Sequence, residues 1–367
     1  MGEKLLLAIG TRKGLWLATG PAKTGAGSDQ GWEVTGPHQA MSGVAAIAID
    51  TRAPVPRLLI DATHEHFGPC VLVSDDLGVT WSDPGHPPIA FPGDTGSALA
   101  RVWQLTPGPA SQPDVVYAGA EPSALFRSVD GGRSFEFIRG LWDHPHRPKW
   151  TPGFGGQAIH TILPHPKAPE KITVAMSTGG VYQTADAGNS WQASNNGISA
   201  YFLPDNYPEF GQCVHKVARH PSRPDRMFLQ NHHGVYRSDD AGASWQSIAD
   251  GLPSDFGFAM LVHPHKPEVI YNFPLTADAV RFAPDGHCRV YRSTDAGNTW
   301  TGLGAGLPDE FWSIVLRDAL CTDGADRAGI YFGTRSGEVY ASRDDGDHWR
   351  QVAAHLPDVL CLRAAVI

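Results

Sequence analysis

The stretch Ser238-Asp-Asp-Ala-Gly-Ala-Ser-Trp245 decides the fold, because the chain writes it six times. The other copies are Ser74–Trp81, Ser128–Phe135, Thr184–Trp191, Ser293–Trp300 and Ser342–Trp349. They start at residues 74, 128, 184, 238, 293 and 342, so successive copies lie 54, 56, 54, 55 and 49 residues apart. A steady period of this size marks a repeat architecture, in which each unit buries a face it cannot bury alone. Each copy reads Ser/Thr-x-Asp-x-Gly-x-Ser/Thr-Trp, with Phe135 and His348 as departures. The aspartate can accept bonds from nearby backbone N–H groups, and glycine takes positive φ without a Cβ clash. The closing ring is a large apolar anchor. Strand-like runs such as Gly234-Val-Tyr-Arg237 and Arg289-Val-Tyr-Arg292 precede the copies. Each copy therefore reads as a hairpin turn pinned by a buried ring. The turn aspartates are taken as Asp76, Asp130, Asp186, Asp240, Asp295 and Asp345, and repetition in every unit makes them structural.

The motif resembles the Asp box, or BNR repeat, of sialidase-like β-propellers, and the resemblance runs from about residue 10 to the C-terminus. It implies an all-β propeller. Gly10-Thr-Arg-Lys-Gly-Leu-Trp16 matches Gly333-Thr-Arg-Ser-Gly-Glu-Val-Tyr340, so the N-terminus carries a further blade whose turn has decayed. That makes seven blades in one domain, residues 1–367. Leu360–Ile367 is expected to supply the inner strand of the N-terminal blade and close the ring, which removes exposed sheet edges. The other inner strands are placed at Val44–Ile49, Leu99–Leu105, Ala158–Leu163, Val214–Ala218, Phe258–Val262 and Phe311–Leu316. The pairs His165-Pro166, His220-Pro221 and His263-Pro264 fall where strands turn and read as structural corners.

Composition agrees and excludes some partners. The chain has 41 Gly, 30 Pro and only 18% charged residues, which suits short strands and tight turns. A formal charge of −9 with no basic run argues against nucleic acid or an anionic membrane as partner. Met1–Gly10 is too short an apolar run for a signal peptide. The five cysteines are odd in number and scattered, which fits reduced thiols and a cytoplasmic location.

The turns occupy one face of the disc, so the long inter-blade loops and the loops between second and third strands face the other way. Long irregular loops concentrate function. Aligning the inner strands puts His160 and His215 at one matched position, with Phe258 in the next blade and Arg101 in the one before. Glu121 and His232 come from neighbouring loops, with His64 and His66 as alternates. Imidazoles and a carboxylate converging there suit a divalent ion, zinc first and calcium or manganese as alternatives. On this reading Glu121, His160, His215 and Arg101 are catalytic, and His160, His215, His232 and Glu121 are metal ligands. The reaction expected is hydrolysis of an ester, lactone or phosphoester, by metal-activated water or by a neutral histidine base.

Two alternatives stand beside it. A glycoside-active propeller would use two carboxylates from Glu65, Glu121, Asp278 and Glu338, with Trp103, Trp150 and Trp312 as sugar platforms. Phe258, Arg12 and Arg335 join these as substrate-binding candidates. A scaffold would bind a protein partner on the loop face. The stretch Arg147–Gly156, aromatic and glycine-rich, reads as a lid or a substrate wall. The sialidase resemblance would imply an arginine triad and an Arg-Ile-Pro element, and no such element follows Gly10-Thr-Arg-Lys. Xyloglucanase-type relatives pair two such propellers across a cleft.

Overall fold

The computed structural model describes residues 3–22, 31–153, 156–276 and 280–367. Asp278, Phe154 and Gly155, from the sequence-derived candidates, lie outside these residues. The chain forms a seven-bladed β-propeller of antiparallel sheets. Blade 1 combines Lys4–Thr11, Gly14–Pro21 and Glu33–His38 with Val359–Val366 from the other end of the chain. That closing strand runs in register from Leu5 opposite Val366 to Gly10 opposite Cys361, then slips by one residue so that Thr11 faces Val359. Lys4 and Ile367 exchange both backbone hydrogen bonds beyond it. The seam is thus an eight-residue ladder rather than a loose contact.

Blades 3 to 6 follow the expected pattern, with inner strands at Arg101–Pro107, Ile159–Pro164, Val214–Arg219 and Phe256–Val262. Blade 2 departs from it. Its inner strand is split into Ser42–Gly43 and Ile47–Asp50, both paired with Arg57–His64. In blade 7 the inner strand is Leu320–Thr322, and the apolar run Phe311–Leu316 is a loop. The run looked like a strand because Phe311 and Val315 are buried, yet they fill the core from a loop. The core lies between neighbouring blades. Tyr117 and Leu125 of blade 3, for example, pack with Ile159, Val174, Tyr182 and Trp191 of blade 4. Each such side chain contributes about 1.5–3 kcal/mol by leaving water.

The repeated turn owes its shape to one serine and one carboxylate. Ser238 Oγ donates to Asp240 Oδ1 at 2.8 Å and accepts from the Gly242 N–H at 2.8 Å. The Ser244 N–H and hydroxyl donate to the two oxygens of Asp240 at 2.9 and 2.6 Å. Ala241 and Gly242 both take positive φ, 59° and 94°. Hydrogen bonds from Thr80 and Ser74 pull Asp76 down to about 2. The Trp245 indole N–H reaches back to Ser194 O of the preceding blade at 2.9 Å, so the ring ties blades together. In the last copy the carboxylate is Asp344, which accepts from Ser342 Oγ at 2.8 Å, and not Asp345. Asp345 occupies the positive-φ position and pairs with His263 at 3.1 Å and with Lys266. The His-Pro corners are structural: His165 Nδ1 accepts from two backbone N–H groups, and His220 Nε2 meets Pro264 O at 2.7 Å.

Candidate functional site

The inner strands of four successive blades carry a bulge at the same place. The register slips between Val102 and Gln104, between Ile159 and Thr161, between Val214 and Lys216, and between Gly257 and Met260. The extra residues are Trp103, His160, His215 and, in the fourth blade, Phe258 with Ala259. A bulge leaves its residue out of the ladder and re-aims the side chain. The matched position in blade 3 is therefore Trp103, and Arg101 lies two residues before it. Arg101 is exposed and stacks over the Trp103 ring at 5.3 Å.

A buried ion cluster links blade 5, the closing strand and the segment before the last inner strand. Asp318 is buried and accepts from Lys216 of blade 5 at 2.8 Å and from Arg363 of the closing strand at 2.7 Å. Burial alone would raise its pKa. The charges and hydrogen bonds of Lys216 and Arg363 overcome that and hold it well below the usual carboxylate range. Asp61, fully buried, accepts from Thr63 Oγ1 at 3.0 Å, and burial pushes it up to about 7.

The predicted histidines separate. His160 is fully buried, with Nε2 bonded to Val214 O at 2.8 Å and Nδ1 to Thr161 Oγ1 at 3.2 Å. Burial, then the charges of Arg317 and Lys216, holds it neutral. With both nitrogens engaged it straps blade 4 to blade 5. Glu121 accepts from the Trp103 indole at 2.8 Å, and Arg317 lies over the same ring at 4.9 Å. Arg101, Trp103, Glu121 and Arg317 thus form one cluster, and Arg317 was missed because the last inner strand was placed at Phe311–Leu316, which ends one residue before it.

His215 and His232 do come together, and with them Cys213. One ligand atom from each lies within 4.8 Å of the others. Cys213 lies just before the strand Val214–Arg219 and His215 is its bulge residue, and the bulge turns the His215 ring so that Nε2 lies 3.6 Å from Cys213 Sγ. Their closeness in sequence was the available signal. The alternates His64 and His66 form a separate exposed turn with Phe67, His64 Nδ1 accepting from the His66 N–H at 3.1 Å.

The aromatic candidates also divide. Trp150 is buried and donates to Tyr182 Oη at 3.1 Å, so it is core and offers no open face. Phe258 is buried against His215, ring centres 4.9 Å apart. Trp312 is 57% exposed and packs edge-on against exposed Phe282 at 5.7 Å. The two line a groove of about 520 Å³ with Glu310, Glu338, Arg335 and Asp358. Arg12 and Arg335 share Asp358, at 3.3 and 2.8 Å. Burial raises and the two guanidiniums lower the Asp358 pKa, with a net fall. Glu338 accepts from Ser336 Oγ at 2.7 Å and from Thr334. Glu65 pairs with Lys13 at 3.4 Å.

No family model matches the chain. In sequence it is similar to the oligoxyloglucan-reducing end-specific xyloglucanase of Emericella nidulans, 24% identical over 293 residues, covering 72% of this chain and 34% of that protein. A xyloglucanase of Hypocrea jecorina is 21% identical over 272 residues, covering 74% and 26%. The chain spans about a third or less of the length of these relatives. Among solved structures, an ancestral GH74 enzyme matches with a TM-score of 0.57 at 16% identity, over 85% of this chain and 38% of that one. YCF48 bound to a D1 peptide matches with a TM-score of 0.53 at 14% identity, over 85% and 82%. A 6-phosphogluconolactonase candidate from Bacteroides fragilis matches with a TM-score of 0.58 at 10% identity, over 98% of each chain. At these identities the structural likeness is one of fold.

Proposed function

We propose that this chain is a glycan-recognising propeller of the glycoside-hydrolase kind, and that it receives a xyloglucan-type oligosaccharide in the groove beside Trp312. The observation that carries this is the exposed Phe282–Trp312 pair walling a groove rimmed by carboxylates and guanidiniums. An exposed aromatic face offers apolar area to a sugar ring, and the charged rim offers hydrogen bonds to its hydroxyls. The similarity to xyloglucanases favours this substrate class over an ester, lactone or phosphoester. Glycoside hydrolysis asks for two carboxyl groups flanking the bond. Glu310 and Glu338 line the groove and are the pair to test.

Calorimetric titration with xyloglucan oligosaccharides tests the proposal. Binding is expected, and Trp312→Ala should weaken it about tenfold, equivalent to about 1.4 kcal/mol. If hydrolysis occurs, Glu338→Gln should abolish reducing-end release while retaining binding. Absence of binding, or an unchanged affinity in Trp312→Ala, would overturn the reading. A protein segment is the second occupant considered, because Tyr201, Phe202 and Tyr207 also stand exposed on an inter-blade loop. Substitution of Tyr201 and Phe202 should leave glycan affinity unchanged if the groove is the glycan site.

A further inference from the structure

We infer that Cys213, His215 and His232 form a three-ligand site for a borderline-soft divalent cation, with zinc the natural occupant. The site lies outside the glycan groove and does not depend on the glycan reading.

Four observations converge. One ligand atom from each residue lies within 4.8 Å of the others. Cys213 Sγ and His215 Nε2 are 3.6 Å apart. Zinc bonds of about 2.3 Å to sulfur and about 2.0–2.1 Å to nitrogen, at a tetrahedral angle, set that edge at about 3.6 Å. His215 Nδ1 donates to Gly257 O at 2.6 Å, which leaves Nε2 as the lone-pair nitrogen on the Cys213 side. A ligating histidine ordinarily has its second nitrogen fixed in this way by a carbonyl or carboxylate. Finally, the backbone holds the set in place. Val214 pairs with Asn231, and the His232 N–H donates to Cys213 O at 2.9 Å, so the two loop residues sit side by side.

The surroundings suit an ion approached from the loop face. His215 is buried, and Cys213 and His232 are half-buried. Phe256 packs edge-on against His215 and His232 at 5.6 and 5.1 Å, and Phe202 lies 5.9 Å from His232. Two nitrogens and a thiolate favour zinc among common divalent ions, and three protein ligands leave a fourth position for water or an anion. Arg317 and Arg281 bear electrostatically on Cys213. Their charge opposes a cation and attracts an anionic fourth ligand, while the thiolate offsets part of the repulsion.

The test uses the untagged chain, stripped with chelator and titrated with cobalt(II). One equivalent should bind with a near-ultraviolet thiolate-to-cobalt band and the strong visible absorption of tetrahedral cobalt, and zinc should displace it. Cys213→Ser should remove the thiolate band. His232→Ala should weaken binding at least tenfold, and a His64→Ala/His66→Ala variant should bind as the parent does. Circular dichroism checks that each variant folds. X-ray absorption of the zinc-loaded parent, which needs no variant, should show one sulfur neighbour. A six-coordinate spectrum without the thiolate band, a zinc edge without sulfur scattering, or cobalt binding untouched by Cys213→Ser and His232→Ala would overturn the proposal.

Discussion

Replacing Asp318 by alanine should be the most damaging single change in the buried ion cluster. The carboxylate is 5% exposed and accepts from Lys216 and Arg363, which come from blade 5 and the closing strand. Removing it leaves the Lys216 ammonium and the Arg363 guanidinium facing each other without their shared carboxylate. Breaking a buried pair in this way costs about 3–5 kcal/mol, because the remaining charge stays desolvated. Melting entropy of about 2.1 cal/mol/K per residue, over 367 residues, is about 0.8 kcal/mol per degree. The melting temperature should therefore fall by about 4–6 °C in differential scanning calorimetry. Adding Lys216→Met to the variant removes one stranded charge and should recover part of the loss, with a coupling readable from the double-mutant cycle. A fall of less than about 1 °C, or no recovery, would refute the view that Asp318 holds the buried charges of Lys216 and Arg363 together.

Two pH predictions follow from other buried groups. His160 is held neutral in the fold, whereas an unfolded histidine takes a proton below about pH 6.5. Its contribution is fully present above that pH and is lost on acidification, by up to about 1.4 kcal/mol per unit. The stability difference between the parent and His160→Gln, read by urea denaturation, should thus shrink from pH 7 to pH 5. Asp61 behaves oppositely: burial raises it to about 7 from an ordinary 3.8, so the fold holds the proton more tightly and stability falls as pH rises between those values. Asp61→Asn removes that fall and should be more stable than the parent at pH 8, by up to about 4 kcal/mol, with the gap closing by pH 4.

The fold was legible because its information is periodic and local. Ser238, Asp240, Gly242 and Trp245 each do one job in the turn, and the chain repeats that set at a fixed interval. Ring closure was legible for a related reason: a lone Gly-Thr-Arg strand pair at the N-terminus lacks an inner partner, and the apolar C-terminal run supplies it. The site was less legible because it depends on bulges, which one sequence does not announce. A single extra residue at Trp103 moved the matched position off Arg101. Asp318 hid the last inner strand, since a charge beside Ala319-Leu-Cys looks like a loop until Lys216 and Arg363 are seen paired with it. Burial decided the tryptophans against their neighbours: Trp150 sits between Lys149 and Thr151 yet is bonded into the core, whereas Trp312 follows Phe311 yet stands in solvent. Cys213 was passed over as one of five scattered cysteines, although it stands two residues before His215, and the bulge that brings the two side chains together is not written in that spacing.

Hydrogen–deuterium exchange of the full chain, with and without a xyloglucan oligosaccharide, tests the central claim most directly. Glycan recognition in the Trp312 groove predicts slowed exchange in the loops around residues 281–282, 310–314 and 335–338, and unchanged exchange in the six Asp-Gly turns on the opposite face. Protection confined to the turns or to the 201–207 loop, or no protection at saturating sugar, would contradict it.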